Sequence, residues 1–281
     1  MSSTPVIEAG DTALVTGASS GIGEQFARRL AGRGVHLVLA ARNRERLERL
    51  AAVLRATGGV SVLVVPADLS IPGGADALVD AVTAHGARID LLINNAGVGS
   101  QGRFVDQDPA VITREIQLDC VSLVALTRRL LPDMLDRGRG GVINVASTAA
   151  FQPVPTMATY AAGKAFVLSF TEALWVETTH TGVRMMALCP GPTQTAFFDT
   201  ANPTQQFLTR RRQSPDQVAE FALRRFERGR APSVIPGLGN RLKASGHRFL
   251  PRPLMARISG RIVRPAEATP SPHVSKSGSP E

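Results

Sequence analysis

Residues 144–164 read Asn-Val-Ala-Ser147-Thr-Ala-Ala-Phe-Gln-Pro-Val-Pro-Thr-Met-Ala-Thr-Tyr160-Ala-Ala-Gly-Lys164. The apolar run at 142–146 predicts a buried strand, which puts Ser147 at its carboxyl edge. Two prolines then hold the chain in a loop, and the alanine-rich run that follows predicts a helix. Tyr160 and Lys164 are one turn apart and share a face of this helix. The stretch therefore predicts a hydroxyl, a phenol and an ammonium close together at a strand edge.

These three side-chain types are suited to acid–base chemistry. A free Tyr has a pKa of about 10 and is a poor acid or base at neutral pH, but a nearby Lys ammonium favours the phenolate and lowers that pKa. Ser147 can hydrogen-bond a substrate oxygen while Tyr160 gives or takes a proton, as that oxygen changes between carbonyl and alkoxide. Tyr and Lys also occur at this spacing by chance on ordinary amphipathic helices. The rest of the chain therefore has to decide whether this stretch is an active site.

A glycine-rich turn follows the first predicted strand. The apolar run at 12–16 ends in Gly17-Ala-Ser19-Ser20-Gly21-Ile22-Gly23, and a helical pattern begins there. In a dinucleotide-binding unit such glycines let the backbone approach a pyrophosphate, and the helix N-terminus offers it N–H groups. The spacing differs from the Gly-x-Gly-x-x-Gly fingerprint, and an ordinary turn is the alternative.

Arg42 follows the second predicted strand, at 35–40. An NAD site requires an acidic residue near this point to bond the ribose hydroxyls, but no acid occurs between Glu24 and Glu45. A guanidinium suits the 2′-phosphate of NADP instead. The sequence therefore predicts NADP (NADPH) as cofactor; the alternative is a solvated Arg at the start of a surface helix.

Three further strand ends carry candidate ligand-binding residues. Small residues allow close backbone approach to a flat ligand, and Asn amides can hold neighbouring loops. An Asp at such an edge could bond an adenine amino group or simply begin a turn. The residues are Asp68 after the strand at 61–65, Asn95, Ala96 and Gly97 after the strand at 90–93, and Pro190, Gly191 and Thr193 after the strand at 183–188.

Strands and helices alternate along the chain, which predicts an α/β fold with a doubly wound parallel sheet and helices on both faces. The predicted helices include 74–85, 110–136 with an interruption at Pro132, 157–180 and 215–229, and a last short strand lies at 233–235. We expect a dinucleotide-binding and catalytic domain at 1–236, a basic amphipathic helical extension at 237–264 and a disordered tail at 265–281.

Composition narrows the class of protein. The chain has 281 residues, 43% of them hydrophobic and 20% charged, which describes an ordinary globular protein. Neither a signal peptide nor a run of roughly 18 apolar residues is evident, so a cytoplasmic location is expected. Cys120 and Cys189 predict buried free thiols in a reducing compartment. The five histidines are scattered, which disfavours a metal enzyme.

Most of the net charge of +9 lies near the C-terminus, where residues 207–264 hold 14 Lys and Arg but 3 Asp and Glu. This basic amphipathic pattern suits a membrane surface or an acidic partner; the alternative is an apolar face that covers the substrate mouth or a subunit seam. Nucleic acid is not favoured, because in the extension at 236–264 only Phe249 could stack on a base. The predicted apolar face is Leu254, Ile258 and Ile262, and the predicted basic face is Arg257, Arg261 and Arg264.

A long aperiodic stretch, 194–214, carries Phe197, Phe198 and Phe207 among polar residues. Loops of that length inside a compact domain are often lids. We expect Phe197 and Phe198, together with the basic extension, to shape or cap a hydrophobic substrate site.

The strand-end motifs in this order resemble the short-chain dehydrogenase/reductase family over roughly residues 10–235. The motifs are Thr16-Gly-Ala-Ser-Ser-Gly-Ile-Gly23, Asn94-Asn-Ala-Gly97, Ser147 with Tyr160-x-x-x-Lys164, and Pro190-Gly191. The resemblance implies a Rossmann fold, a nicotinamide cofactor and interconversion of an alcohol and a carbonyl compound.

The resemblance also implies roles for individual residues. Tyr160 would be the general acid/base, Lys164 would hold the nicotinamide ribose and lower the Tyr pKa, and Ser147 would steady the substrate. Arg42 occupies the place that marks NADP users, and a homodimer or homotetramer is expected. Matching cofactor-contacting positions are Gly17, Ser19, Ile22, Asp68, Asn95 and Thr193.

Asp119 departs from the family pattern, which has Asn at this place, thought to hold a water of the proton relay. Asp loses the amide donor, and its charge near Lys164 would partly cancel the help given to Tyr160. We expect a working but altered relay with a raised apparent pKa for activity; the alternative is a helix residue that never reaches the site.

The sequence thus predicts an NADP-dependent oxidoreductase that acts on a largely apolar alcohol or carbonyl compound. The alternative is a non-catalytic NADP-binding protein that uses its basic extension to reach a partner or a membrane surface.

Overall fold

The computed structural model describes residues 7–195, 212–229, 231–246 and 251–263. Within these ranges seven strands form one sheet in the order β3-β2-β1-β4-β5-β6-β7, and every neighbouring pair is parallel. The order reverses between β1 and β4, which is where sheets of this kind bind ligands. The strands are β1 Thr12–Thr16, β2 His36–Ala41, β3 Val62–Pro66, β4 Leu91–Asn94, β5 Gly140–Val145, β6 Val183–Leu188 and β7 Ser233–Val234.

Helices cover both faces of the sheet. Successive side chains of β1 point to opposite faces, so Val15 packs in the core beneath α1, α2 and α7 while Leu14 packs in the core beneath α3 and α5. The helices of the described residues are α1 Gly21–Ala31, α2 Arg44–Gly58, α3 Gly74–Ala84, α4 Pro109–Ile116, α5 Ser122–Asp136, α6 Ala158–Glu177, α7 Pro215–Arg228, α8 Leu238–Ser245 and α9 Arg252–Val263. The predicted fold class is confirmed.

The helix predicted at 110–136 is not continuous. A π-helical turn, Gln117–Val121, joins α4 to α5, and Pro132 lies inside α5 without ending it. A proline removes one backbone donor, and the fully buried Met134 holds the last turn of α5 against the sheet. The irregularity therefore falls at the π turn, which carries Asp119, and not at Pro132.

The C-terminal extension forms two helices, α8 and α9, and α9 does not bury the described residues of its predicted apolar face. Leu254 and Ile258 are exposed, whereas Met255 and Ser259 are buried. Small side chains allow this face to approach the loop before α6: a Cβ placed on Gly260 would lie 3.3 Å from Cγ of Pro155. The other predicted face residues Arg261, Ile262 and Arg264 have no described side chains, and Phe197, Phe198, Phe207, Phe249 and the tail at 265–281 lie outside the described residues.

In the described part of the chain, no helix combines the length and apolar character that a membrane span requires. The same residues contain no group of three or more His, Cys, Asp and Glu placed to hold a metal ion. Cys189 is buried and Cys120 only half-buried, and both are free thiols. Burial raises the pKa of Cys189 to about 12 and that of Cys120 to about 11, so both thiols stay protonated at neutral pH.

Candidate active site

The glycine turn after β1 and the end of β4 form one interlocked cradle. Asn95 donates its side-chain amide to the carbonyl oxygens of Thr16 at 2.9 Å and Gly17 at 3.3 Å. A Cβ on Gly17, whose φ is +65°, would lie 2.8 Å from that amide nitrogen, and a Cβ on Gly23 would overlap the Gly17 carbonyl oxygen. Glycine is therefore required at both positions for the turn to fit beneath Asn95.

The cradle opens onto the N-terminus of α1. Ser20 caps this helix with extended backbone, and its side chain makes no capping hydrogen bond within the described structure. The backbone N–H groups of the first turn, from Gly21 to Gly23, are thus available to an anion. Gly21 has φ +60° and faces Thr195. A Cβ placed on Gly21 would lie 2.9 Å from Cγ2 of Thr195. A glycine-lined hollow above a helix N-terminus fits the pyrophosphate of a dinucleotide. Ser19 and Ile22 lie in the same turn, with Ile22 packed partly against the core.

Gly23→Ala is expected to weaken dinucleotide binding at least tenfold and to lower thermal stability, since the new methyl group displaces the turn. Overpacking of this kind costs about 1–3 kcal/mol. Calorimetric titration with NADPH and thermal unfolding measure the two effects. The matched control is Gly32→Ala, because a Cβ there lies 3.5 Å from its nearest neighbour; equal effects of the two changes would contradict the steric argument.

Arg42 and Asp68 mark the adjoining edge, after β2 and β3. Arg42 is exposed. Asp68 accepts hydrogen bonds from the hydroxyl and the N–H of Ser70, at 2.6 and 2.9 Å. The Ser70 hydroxyl lowers the pKa of Asp68, and Arg42 lowers it further. Asp68 therefore begins a turn, and it remains an ionised acceptor beside an exposed guanidinium.

Ser147, Tyr160 and Lys164 converge after β5. Ser147 lies just past the strand and is hydrogen-bonded to the phenol of Tyr160. The Lys164 ammonium lies 5.7 Å from the centre of the Tyr160 ring and donates to the Val145 carbonyl oxygen at 3.3 Å. The structure thus brings together the three side chains that the sequence placed on a strand end and one helical turn.

Asp119 also reaches this cluster, which excludes the alternative of a remote helix residue. Its Oδ2 lies 3.0 Å from Nζ of Lys164, and its Oδ1 accepts the N–H of Val98 at 2.9 Å. Both side chains of the ion pair are almost fully buried. Gly97 lies against the pair, because a Cβ there would be 3.0 Å from Nζ of Lys164. Ala96 lies beside it and donates its N–H to the Thr16 hydroxyl at 3.0 Å.

Burial and charge shift the pKa values of this cluster in different directions. Burial raises the pKa of Tyr160, and the opposing attraction of Lys164 and the Ser147 hydrogen bond do not overcome it. Lys164 therefore acts on this pKa in the predicted direction, and burial opposes it. Burial alone would lower the pKa of Lys164, but Asp119 and Tyr160 carry it above its ordinary value. Lys164 is an ammonium and Tyr160 a neutral phenol at pH 7.

The turn after β6 completes the site edge. Thr193 is buried and donates to the Gly191 carbonyl oxygen at 2.9 Å, and the Pro190 carbonyl accepts the N–H of Thr148 at 2.9 Å. Asn240 of α8, which the sequence did not single out, packs directly on Gly191 and donates to the Pro236 carbonyl oxygen at 2.9 Å. The extension therefore contacts one of the predicted cofactor loops.

A buried amide chain behind the cluster fixes its supporting elements. Asn94 and Asn144 are register partners in β4 and β5. Asn94 donates to the Asn144 amide oxygen, and Asn144 donates to the Thr171 hydroxyl, both at 2.9 Å. Thr171 lies on α6, so the chain ties the helix of Tyr160 and Lys164 to two central strands. In the sequence, this hydrogen-bonded chain was indicated by an Asn at the end of each of two apolar strands.

A parallel sheet with a glycine cradle and a Ser–Tyr–Lys cluster at one edge defines an α/β oxidoreductase of the dinucleotide-binding class. A family model described as short chain dehydrogenase matches residues 11–206. The chain belongs to the short-chain dehydrogenase/reductase family and is an NAD(P)-dependent dehydrogenase/reductase by class, as the sequence predicted.

Individual relatives agree with this assignment. Human dehydrogenase/reductase SDR family member 7 is 37% identical over 191 residues, which are 66% of this chain and 56% of that protein. The match thus spans just over half the length of that relative. A solved short-chain dehydrogenase from Sphingobium yanoikuyae in complex with NADPH is 37% identical, with a TM-score of 0.77 over 92% of this chain and 98% of the other. A solved structure whose description concerns the stereoselectivity of 7β-hydroxysteroid dehydrogenase is 27% identical to this chain. Its TM-score is 0.82, and the match covers 92% of this chain and 100% of the other.

Proposed function

We propose that the protein is an NADP-dependent oxidoreductase that interconverts an alcohol and a carbonyl on a largely apolar small molecule, with Tyr160 as general acid/base. The convergence of Ser147, Tyr160 and Lys164 carries this proposal. A proton donor, a second hydrogen-bond donor and a fixed cation would then lie beside one another at the carboxyl end of β5, the strand next to β4.

The residues of the cradle fit a nicotinamide dinucleotide. The first turn of α1 and the glycine turn would hold the pyrophosphate. Asn95, Ala96 and Gly97 would line the middle of the ligand, and Lys164 would hold the nicotinamide ribose. When bound, the reduced nicotinamide supplies a hydride to the carbonyl carbon of the substrate. Further cofactor contacts are assigned to Ser19, Ser20, Ile22, Asp68, Pro190, Gly191 and Thr193.

The acid–base step uses the protonated phenol. In the reductive direction, Ser147 donates a hydrogen bond to the substrate carbonyl oxygen, and Tyr160 transfers its O–H proton to that oxygen as negative charge develops on it. The Lys164 ammonium stabilises the phenolate that remains. The raised pKa of Tyr160 keeps the proton on the phenol at pH 7, as a general acid requires.

Arg42→Asp is expected to reverse the cofactor preference. Loss of a charge-assisted bond to the 2′-phosphate costs about 1.5–3 kcal/mol, and so raises the Kd for NADPH roughly 10- to 100-fold. The new carboxylate would bond the ribose hydroxyls of NADH. Titration with both cofactors measures the change, with Arg46→Asp, an exposed residue of α2, as control. If the Arg42 variant still preferred NADPH over NADH as strongly as the wild-type protein does, the assignment of NADP would be contradicted.

An apolar substrate is supported by the likeness to the hydroxysteroid dehydrogenase structure and by the apolar side chains of Val154, Met157 and Ala161, which cluster beside Tyr160. A panel of ketones graded in size and polarity, followed by NADPH absorbance, tests the substrate class. Turnover restricted to small polar ketones would contradict it.

Non-catalytic NADP binding is the competing function, and complete lack of turnover over the ketone panel would favour it. Homodimeric or homotetrameric assembly remains a prediction from the family, which sedimentation tests. Contact of the extension with a membrane surface or an acidic partner, and the cytoplasmic location, are likewise predictions; liposome co-sedimentation tests the first.

A further inference from the structure

The outward face of α8 carries two aliphatic side chains. Leu238 and Leu242 are 72% and 68% exposed, and they are four residues apart, so they share one face of the helix. The other side of α8 holds it on the protein, since Ala244 is buried and Asn240 packs on Gly191. Two residues turn an α-helix through about 200°, so Leu242 points away from both of these anchors.

Helix α9 repeats this arrangement. Leu254 and Ile258 are also four residues apart, and both are exposed. Another face of α9 rests on the protein, where Gly260 lies against Pro155 of the loop before α6. Helix α8 lies beside an earlier turn of the same loop, Thr148–Phe151. One loop therefore supports both helices, and together they present four exposed aliphatic side chains.

The charged residues of the extension are all basic. Residues 236–264 contain seven Lys and Arg and no Asp or Glu. Arg241, Lys243 and Arg257 are exposed, and none of them forms an ion pair with a carboxylate in the part of the chain that the structure describes. A patch of unpaired cations is complementary to a negatively charged surface.

The combination of exposed aliphatic side chains and cations distinguishes between the possible partners. A free phosphate or a nucleotide would be held by the cations alone and would gain nothing from the aliphatic side chains. A second copy that docked through the same face would bring like charges together. A bilayer of anionic lipid satisfies both groups, because Lys and Arg bind its headgroups while the apolar side chains enter the boundary of the acyl chains.

We propose that the outward faces of α8 and α9 form a docking surface for an anionic phospholipid bilayer. The aliphatic side chains enter the acyl boundary, and the cations lie at the level of the lipid phosphates. The residues of this docking surface are Leu238, Arg241, Leu242, Lys243, Leu254 and Ile258. The sequence left a membrane surface and an acidic partner open, and the aligned, exposed aliphatic side chains favour the membrane. The inference goes beyond the proposed function and does not depend on it, because docking needs neither cofactor nor turnover.

Co-sedimentation of the whole protein with lipid vesicles tests the docking. The probes are vesicles of phosphatidylcholine mixed with phosphatidylglycerol, and vesicles of phosphatidylcholine alone. We expect affinity for the mixed vesicles to be at least about tenfold higher, and to fall as salt is raised, because anionic lipid attracts each nearby cation. Equal affinity for the two kinds of vesicle, or binding to neither, would overturn the proposal.

Two double variants separate the apolar from the electrostatic contribution. Leu238→Ser with Leu242→Ser should weaken binding to the mixed vesicles at least about tenfold, since two aliphatic side chains no longer leave water. Arg241→Gln with Lys243→Gln should weaken it about fivefold for each charge removed. If the double Leu variant bound as tightly as the wild-type protein, the attraction would be one of charge alone and the proposed docking would be wrong.

The matched control is Val176→Ser with Arg46→Gln, which changes an exposed aliphatic side chain of α6 and an exposed cation of α2. It should bind the mixed vesicles as the wild-type protein does, and an equal loss in the control would contradict a surface confined to the extension. Thermal unfolding shows whether each variant is folded. Should the double Leu variant of α8 not fold, Leu254→Ser with Ile258→Ser on α9 decides in its place.

Two further measurements exclude other occupants of the docking surface. Sedimentation velocity without lipid should give the same oligomeric state for the wild-type protein and the double Leu variant of α8; conversion of an oligomer to a monomer would make this face a subunit interface. Polyglutamate in solution should bind much more weakly than the mixed vesicles and without regard to the Leu changes. Equally tight binding that the Leu changes weaken would indicate an acidic protein partner. Either contrary result overturns the proposal.

Discussion

Replacing Tyr160 by Phe is expected to lower kcat by about 10²- to 10⁴-fold, the range attributed to a positioned general acid or base, while the Kd for NADPH changes little. The phenol ring packs beside Val154, Met157 and Ala161, and Phe preserves that packing. The loss should therefore appear in the chemical step and not in stability. Single-turnover reduction of a ketone, monitored by NADPH absorbance, measures it.

The control for this change is Thr159→Ala, on the preceding residue of α6, which should retain wild-type kcat. Tyr160 is the chain's single Tyr, so ultraviolet titration of tyrosinate follows its phenol directly. We expect that titration to lie above the ordinary Tyr pKa, because burial dominates. Retention of more than a tenth of wild-type kcat in the Phe variant would rule out Tyr160 as the proton donor.

Replacing Lys164 by Met is expected to abolish most turnover and to destabilise the fold. Removing one partner of a buried ion pair costs about 3–5 kcal/mol, since it leaves an uncompensated charge; here that charge is on Asp119, which is 2% exposed. Without the ammonium, protonation of Asp119 relieves the cost. Its folded-state pKa then lies above its unfolded value, so stability is lost as pH rises and is least affected in acid.

Urea unfolding at pH 5 and pH 8 measures this dependence, and the destabilisation should be larger at pH 8. The double variant Lys164→Met with Asp119→Leu is the matched test, because apolar groups of similar volume can replace a buried pair. It should recover most of the stability and none of the activity. Equal stability of wild-type protein and Lys164→Met at pH 8 would contradict a buried, charged pair.

Some strands and helices could be predicted from the local sequence pattern alone. The apolar run of β1 ends at the glycine turn where the sequence predicted it, and the strands after it occur in the predicted order, because parallel strands buried on both faces carry continuous apolar runs. The spacing of Tyr160 and Lys164 sufficed to place both on one face of a helix.

Other features depended on packing between distant segments. The π turn at 117–121 has no local signature in Gln-Leu-Asp-Cys-Val. The helix α9 buries Met255 and Ser259, and its Gly260 lies against Pro155 of a distant loop. A helical pattern with Glu115 beside Arg114 predicts a solvated residue, yet the side chain is buried beneath Ser100. Periodicity cannot indicate such burial, since the covering segment is a loop from another strand.

The sequence by itself determined the parallel sheet, the glycine cradle and the three side chains expected to move a proton, because each depends on spacing within one strand–turn–helix unit. Only the tertiary structure decided that burial opposes Lys164 at the Tyr160 phenol, and that Asp119 is buried against the Lys164 ammonium. Those outcomes are set by desolvation and by charges on separate helices, which act through space and leave no trace in local pattern.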